Sequence, residues 1–412
     1  MTVAFTEQSK GLGAHDAQEY RPPPDNDENP VVKSAEYAIE ATDVVGINEP
    51  GVKAAAKYID SKLHEESYNP RSWRTHPLHV CPPEPYSPYD SRTGDFMNWM
   101  FLISSLNFSF WSEREGRPDR FGIEWREGWQ SDKRKVHTGY WSLVAAIDRA
   151  LEEGIPFSDP TFFASEERCP DSLVEHIFRP SRQSNEKISL LKERIAILRQ
   201  VGSILTTKFA GSFQHFFEDF QSRHDGQGTA LQLVKTVVTT FPSFRDETNY
   251  EGRRVFIWKR AQILVAELWA AFYPPSPSMP HPLFPAGAAI HQLTMFADYR
   301  VPQILHHLCI LTYPPSLIKA LRSHASFETG CREELSIRAA SIVAVERVRE
   351  EMVKLAEARY GEGNFDGEDI SSVMIDFYLW DLAKKLENGE ENVEGIDTAE
   401  VLPSHRTRSI WY

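Results

Sequence analysis

The chain has 412 residues, of which 41% are hydrophobic and 12% aromatic, enough for one large core or two smaller ones. Its formal net charge of −14, from 59 acidic and 45 basic residues, argues against stable binding to DNA or RNA, where each phosphate contact wants a Lys or Arg; a small ligand with one phosphate needs only a few local cations. Cys81, Cys169, Cys309 and Cys331 are far apart and form no CxxC pair, which speaks against a zinc ribbon or a disulfide framework, and no run approaches the roughly 20 apolar residues of a membrane span, so a cytoplasmic location is expected.

Residues 1–30, with Arg21-Pro22-Pro23-Pro24-Asp25-Asn26-Asp27-Glu28-Asn29-Pro30, carry little apolar content and read as a disordered tail without a catalytic part. Ordered helical structure is expected from Val31. The Pro- and Tyr-rich stretch between Trp73 and Arg92 reads as an irregular loop. Residues 94–105 predict a buried helix, followed by an aromatic run, Leu106-Asn107-Phe108-Ser109-Phe110-Trp111, that reads as extended. Phe121–Trp125 and Val136–Tyr140 flank a charged turn and predict a small β-hairpin. Leu143, Val144, Ile147 and Leu151 keep helical spacing up to Gly154 and Pro156.

A longer amphipathic helix is predicted from Ile188, Leu191, Ile195, Leu198, Ile204 and Leu205, and another through Leu233–Val238, halted at Pro242. The segment from Arg260 to Phe272 is apolar on most sides, which predicts a central helix. Six prolines between Pro274 and Pro285 impose a long loop, taken as an insertion over about residues 273–288. Helices are then predicted at 302–311, 314–323, 333–358 and 369–386. The fold class is mainly α with a small β-hairpin element, in one domain over residues 31–412.

No GxxxxGK[ST] loop, GxSxG elbow or HExxH motif is present. His306 and His307 are adjacent on a helix and point about 100° apart, a poor arrangement for sharing a metal. The chemistry therefore rests on carboxylates. Asp298 lies in Thr294-Met295-Phe296-Ala297-Asp298-Tyr299-Arg300-Val301-Pro302, just ahead of a helix that Pro302 can open. Free backbone N–H groups there favour an ionised carboxylate, which suits stabilising a positive centre; the plainer alternative is a helix-capping Asp.

Asp369 is a candidate N-cap for the last helix. Asp376 sits mid-helix in an apolar, aromatic stretch, and Asp381 follows Phe377 by one turn on the same face. Such acids need partners: a buried salt bridge, or a ligand with N–H and O–H donors. Lys259 and Arg260 open the central helix and suit a phosphate, with a solvated pair of charges as the alternative. The aromatic, basic run His405–Tyr412 is expected to dock on the body.

Six runs, in order, resemble the queuosine salvage proteins, the queuosine 5′-phosphate N-glycosylase/hydrolases. They are Leu106–Trp111, Gly139-Tyr140-Trp141-Ser142-Leu143, Lys259-Arg260-Ala261-Gln262-Ile263-Leu264, Thr294–Arg300, Asp376-Phe377-Tyr378-Leu379-Trp380-Asp381 and His405-Arg406, and the similarity extends over roughly residues 35–412. The resemblance implies a helical fold related to DNA glycosylases. It also implies hydrolysis of queuosine 5′-monophosphate to queuine and ribose 5-phosphate, without metal or other cofactor. It marks Asp298 as the catalytic aspartate, Phe296 as an aromatic contact to the base, and Asp376 and Asp381 as ligand-binding carboxylates. Phe377 stands where animal members of the family carry Tyr, so a contact through its ring or backbone is expected without the hydroxyl. A site histidine falls near Trp73, where His79 and His76 compete and Leu78 favours His79. Lys259 is the candidate for the 5′-phosphate. The expected partner is this small-molecule substrate alone, bound by a monomer with no stable nucleic acid and no membrane. A non-catalytic binder of modified nucleosides or 7-deazapurine bases is the competing function.

Overall fold

The computed structural model describes residues 20, 22–23, 28–276, 278–361 and 370–412. Its helices, in chain order, are α1 (Pro30–Thr42), α2 (Glu49–Glu65), α3 (Ser91–Leu106), α4 (Tyr140–Glu152), α5 (Pro160–Ala164), α6 (Asp171–Ile177) and α7 (Leu191–Lys208). There follow α8 (Phe213–Arg223), α9 (Ala230–Thr240), α10 (Lys259–Ala271), α11 (Val301–His307), α12 (Pro315–Arg322), α13 (Arg332–Tyr360) and α14 (Ser372–Glu387). The strands are β1 (Gly46–Ile47), β2 (Ile123–Arg126), β3 (Arg134–His137), β4 (Glu247–Tyr250), β5 (Arg253–Phe256) and β6 (Leu311–Thr312). They form three antiparallel pairs, β1 with β6, β2 with β3 and β4 with β5. The protein is mainly α, as its periodicities imply.

Two helices organise the body. The first half of α13 is buried on every side from Glu334 to Val345, and α1, α2, α11 and α14 pack around this helix. α10 is the expected central helix, buried at all its positions except Ile263, and it packs on α3, α9 and a 3-10 segment, Pro70–Thr75. Hydrophobic burial over this shared core is the main stabilising term.

Several local expectations are corrected. Leu106–Trp111 is not extended throughout: α3 ends at Leu106 and Ser109 adopts φ 56°. Two buried arginines hold the turn, Arg194 donating to the carbonyls of Leu106 and Phe108, and Arg260 to that of Ser105. These guanidiniums satisfy the last carbonyls of α3, which have no partner within the helix. The first hairpin is β2–β3, with Ile123 opposite His137. Its second strand stops before Gly139, whose φ of 61° turns the chain into α4. Ile188 lies ahead of α7, which begins after Leu190 in the left-handed region. α11 ends at His307, and the following Leu311–Thr312 pairs with β1 instead of extending the helix. The β4–β5 hairpin and the short helices α5 and α6 had no clear periodic signal, whereas α8 was passed over although Phe213, Phe216, Phe217 and Phe220 keep helical spacing.

Within residues 1–30, positions 1–19, 21 and 24–27 lie outside the described residues. Tyr20 donates to Glu247 at 2.7 Å beneath the Arg245 guanidinium, and Asn29 caps α1 by accepting from Val31 N at 3.0 Å. Asp369 also lies outside the described residues, and α14 is capped by Ser371, which accepts from Met374 N at 3.3 Å. The run His405–Tyr412 docks as expected: Arg408 stacks 3.4 Å from the Trp111 ring centre, and Trp111 Nε1 donates to Thr407 O at 2.9 Å.

Candidate active site

Lys259, Ile263 and Glu267 recur at intervals of four along α10 and present one stripe to a cavity of about 400 Å³. Opposite lies α14, which contributes Asp376, Phe377, Trp380 and Asp381. The loop before α11 brings Phe296, Asp298, Tyr299 and Arg300, and the segment after Trp73 brings His76 and His79. All the residues singled out as substrate contacts or catalyst therefore line one cavity: Asp298, His79, Phe296, Asp376, Phe377, Asp381 and Lys259.

The loop carrying Asp298 is held at successive positions. Gln262 brackets Thr294, accepting from its N–H at 3.0 Å and donating to its hydroxyl at 2.8 Å. Phe296 N donates to Asp376 Oδ1 at 2.9 Å. Arg338 Nε donates to Ala297 O at 2.9 Å, while the same guanidinium forms a buried two-pronged pair with Asp246 at 2.5 and 3.1 Å. Asp246 in turn accepts from Lys259 N at 3.3 Å, so one ion pair steadies both the loop and the start of α10.

Asp298 Oδ1 accepts from Arg300 N at 2.7 Å and Val301 N at 2.9 Å. The capping role weighed for this residue is real, and it does not remove the carboxylate from the cavity. One oxygen holds the entry of α11 and fixes the plane of the carboxylate, while no described residue donates to Oδ2.

Asp376 is 4% exposed and forms no ion pair among the described residues; its partner is the Phe296 backbone. Burial pushes its pKa well above the usual carboxylate range, and the charge of Asp298 adds to the rise. Asp381 accepts from Tyr68 OH at 2.7 Å, and burial raises its pKa as well. Among the described residues, Lys259 Nζ donates only to the Asn107 carbonyl and side-chain oxygens, both at 3.4 Å. Burial pushes its pKa down to about 8, opposed first by the charge of Asp298. Arg260 is not a site residue: it points away to the carbonyls of Ser105 and Ser243.

Aromatic side chains make the walls. His79 stacks on Trp73 with ring centres 4.0 Å apart, and His76 stacks on Trp141 at 3.5 Å. Burial pushes their pKa values down to about 4 and about 3, so both are neutral at physiological pH. His79 Nδ1 meets Trp73 O at 2.7 Å, whereas its Nε2 is buried without a partner among the described residues. The geometry brings both competing histidines to the cavity. Phe377 lies 6.0 Å from the Phe296 ring.

A model of the family described as "Queuosine salvage protein" matches residues 87–412. The chain belongs to this family. Three queuosine salvage relatives, each named queuosine 5′-phosphate N-glycosylase/hydrolase, illustrate the likeness. The one from Schizosaccharomyces pombe is 36% identical over 93% of this chain and 99% of its own length. The Bos taurus protein is 33% identical over 92% of this chain and 98% of its own, and that of Sphaerobacter thermophilus is 35% identical over 76% and 81%. The match to the queuosine salvage model takes in Lys259, Asp298, Asp376 and Asp381, while Trp73, His76 and His79 lie ahead of it.

Sequence reasoning passed over Glu267, Tyr140, Trp141 and Trp380, which also line the cavity. A signal for Glu267 existed. It is an acid inside a helix apolar on most sides, the same anomaly that drew attention to Asp376.

Proposed function

We propose that the protein hydrolyses the N-glycosidic bond of queuosine 5′-phosphate, releasing queuine and ribose 5-phosphate so that the base can re-enter tRNA modification. The observation that carries this reading is the Asp298 carboxylate, oriented by two backbone N–H groups at the wall of an aromatic cavity. Breaking the bond builds positive charge on the anomeric carbon. A fixed anion there is attracted more strongly in the transition state than in the ground state, which lowers the barrier. Asp298 acts so either as an electrostatic partner or by forming a covalent glycosyl intermediate.

A 7-deazaguanine base has no N7 lone pair, so protonation at that atom is not available to improve the leaving group. Stabilising the sugar cation therefore matters more. Phe296 offers a ring to the flat base, with Phe377 beside it, and His79 offers its unpartnered Nε2. The secondary ammonium and diol of queuine suit Asp376 and Asp381. A bound ammonium would lower the Asp376 pKa, which burial otherwise raises well above the usual carboxylate range. Lys259 is assigned to the 5′-phosphate. Among the cavity cations, Lys384 and Arg300 already pair with Glu387 at 2.8 and 3.4 Å, whereas Lys259 forms no ion pair among the described residues and donates to the neutral oxygens of Asn107.

The partner is the small molecule alone. A monomer acting on the free nucleotide in the cytoplasm completes this reading, and the net charge of −14 disfavours a protein that grips nucleic acid. Incubating the purified protein with queuosine 5′-phosphate and following free queuine by mass spectrometry tests the reading. Appearance of the base is expected. Bound but intact nucleotide would mark a binder of modified nucleosides instead.

A further inference from the structure

One carboxyl of the cavity has no part in the scheme above. Glu267 is 5% exposed, and Trp73 Nε1 and Tyr140 OH both donate to its Oε1, at 3.5 and 3.4 Å. Its Oε2 is buried and has no hydrogen-bond partner among the described residues. A bare anionic oxygen in such a place is costly, whereas a neutral carboxyl can carry its proton there. Because the two protein donors occupy Oε1, the O–H of the acid form belongs on Oε2. That O–H needs an acceptor, and among the described residues none supplies one.

The base that leaves an N-glycosidic bond provides such an acceptor. Heterolysis sends the bonding pair of electrons into the base, and without N7 the nitrogen basic enough beside the broken bond is N3. We propose that Glu267 is the general acid of this cavity, a role that rests on the glycosidase reading above. As the bond from the anomeric carbon to N9 breaks, the Oε2 proton passes to N3 and the base departs neutral. Water then adds to the anomeric carbon and gives up a proton, and the Glu267 carboxylate takes one back. Nucleotide plus water becomes free base plus sugar phosphate, and the enzyme ends as it began.

The surroundings of Glu267 favour this role. Burial pushes its pKa up to about 7, so the acid form is well populated near neutrality. The titratable and charged groups that line the same cavity are Lys259 on the same helix, Tyr140 from α4, Tyr68, His76 and His79 from the segment around Trp73, Asp298, Tyr299 and Arg300 before α11, Asp376, Asp381 and Lys384 from α14, and Tyr412. Both histidines are neutral and have no spare proton to give. Burial holds Tyr140 far above its ordinary range. Burial raises the Asp376 pKa too, but the scheme above assigns that carboxyl to the ammonium and diol of queuine and not to the bond that breaks. Lys259 keeps Glu267 within reach of deprotonation, as a proton donor requires.

The test compares two leaving groups. Queuosine 5′-phosphate needs its base protonated, while 4-nitrophenyl β-ribofuranoside 5-phosphate loses a stable nitrophenolate that does not. Glu267→Gln is expected to lower kcat/KM at least about 100-fold for the first and to leave the second near the wild-type value, the scale of losing one general acid. In the wild type, kcat/KM for queuosine 5′-phosphate should fall as pH rises through about 7, and the nitrophenyl substrate should show no such fall. An equal loss on both substrates, or no loss on either, overturns the proposal. So does a descending limb shared by the two, which would belong to Lys259 or another common group. The wild-type comparison decides the matter even if the variant does not fold. A wild type that cleaves neither substrate would defeat the glycosidase reading itself.

Discussion

Asp376 accepts the backbone N–H of Phe296 at 2.9 Å, and this single bond ties α14 to the loop that carries Asp298. The two acids share one pocket, and after burial the charge of Asp298 is the largest influence raising the Asp376 pKa. Burial and the Asp298 charge thus both disfavour ionisation of Asp376, and Lys259, which feels both acids, opposes that rise. The consequences can be tested residue by residue.

Asp298→Asn keeps an oxygen that can accept from Arg300 N and Val301 N, so the entry to α11 and the thermal stability should change little. Turnover should not survive. We expect substrate to bind and queuine release to slow at least about 100-fold, the effect of losing one strong electrostatic stabiliser. Single-turnover release followed by chromatography is the measurement, and a near-normal rate would remove Asp298 from the chemistry.

Asp376 separates structure from binding through two substitutions. Asp376→Ala leaves the Phe296 N–H buried without an acceptor, which costs about 1–3 kcal/mol. Asp376→Asn retains an acceptor oxygen and should unfold in urea close to the wild-type midpoint. If the two variants are equally stable, the loop is not held by this bond.

Lys259→Ala should abolish the preference for the 5′-phosphate over the free nucleoside. The ratio of kcat/KM for queuosine 5′-phosphate to that for queuosine reports this directly. An unchanged ratio would leave Lys259 only the task of balancing Asp298 and Asp376.

Arg338→Ala strips the counter-ion from Asp246 and Glu334, both almost fully buried, and frees the Ala297 carbonyl. Removing one partner of a buried pair costs about 3–5 kcal/mol. Denaturant unfolding should show this loss, and a change under about 1 kcal/mol, the value of an exposed pair, would contradict the proposed anchoring.

Stability should also fall with acid. Burial, helped by the Arg338 charge, pushes the His405 pKa down to about 3 from its ordinary 6.5. The unfolded chain therefore binds the extra proton first, and the contribution of neutral His405 is complete above pH 6.5 and is lost progressively as pH falls toward 3. His405→Gln should flatten the decline in melting temperature across that window. An unaltered slope would assign the acid sensitivity to other groups.

Much of the helical layout was legible because apolar spacing survives in the order of the residues. The central helix, read from Arg260–Phe272, appears as Lys259–Ala271, since a segment apolar on most sides can only be covered by other elements. The β4–β5 hairpin and the fate of Leu106–Trp111 were not legible. The second depends on Arg194 and Arg260, guanidiniums remote in sequence that decide where the carbonyls after α3 turn.

The candidate site divides in the same way. Residue type and local context alone set apart Asp298 before a helix and Asp376 within an apolar one, because an acid in such a place must be either capped, paired or used. Which of these applies could come only from the folded chain. Asp298 does two jobs with two oxygens, Asp376 leans on a backbone N–H rather than a cation, and Glu267 meets Trp73 and Tyr140 across the cavity. Periodicity reports which face of an element is buried, whereas a hydrogen bond between residues about 80 to 190 positions apart depends on how those elements pack, and no local pattern encodes that distance.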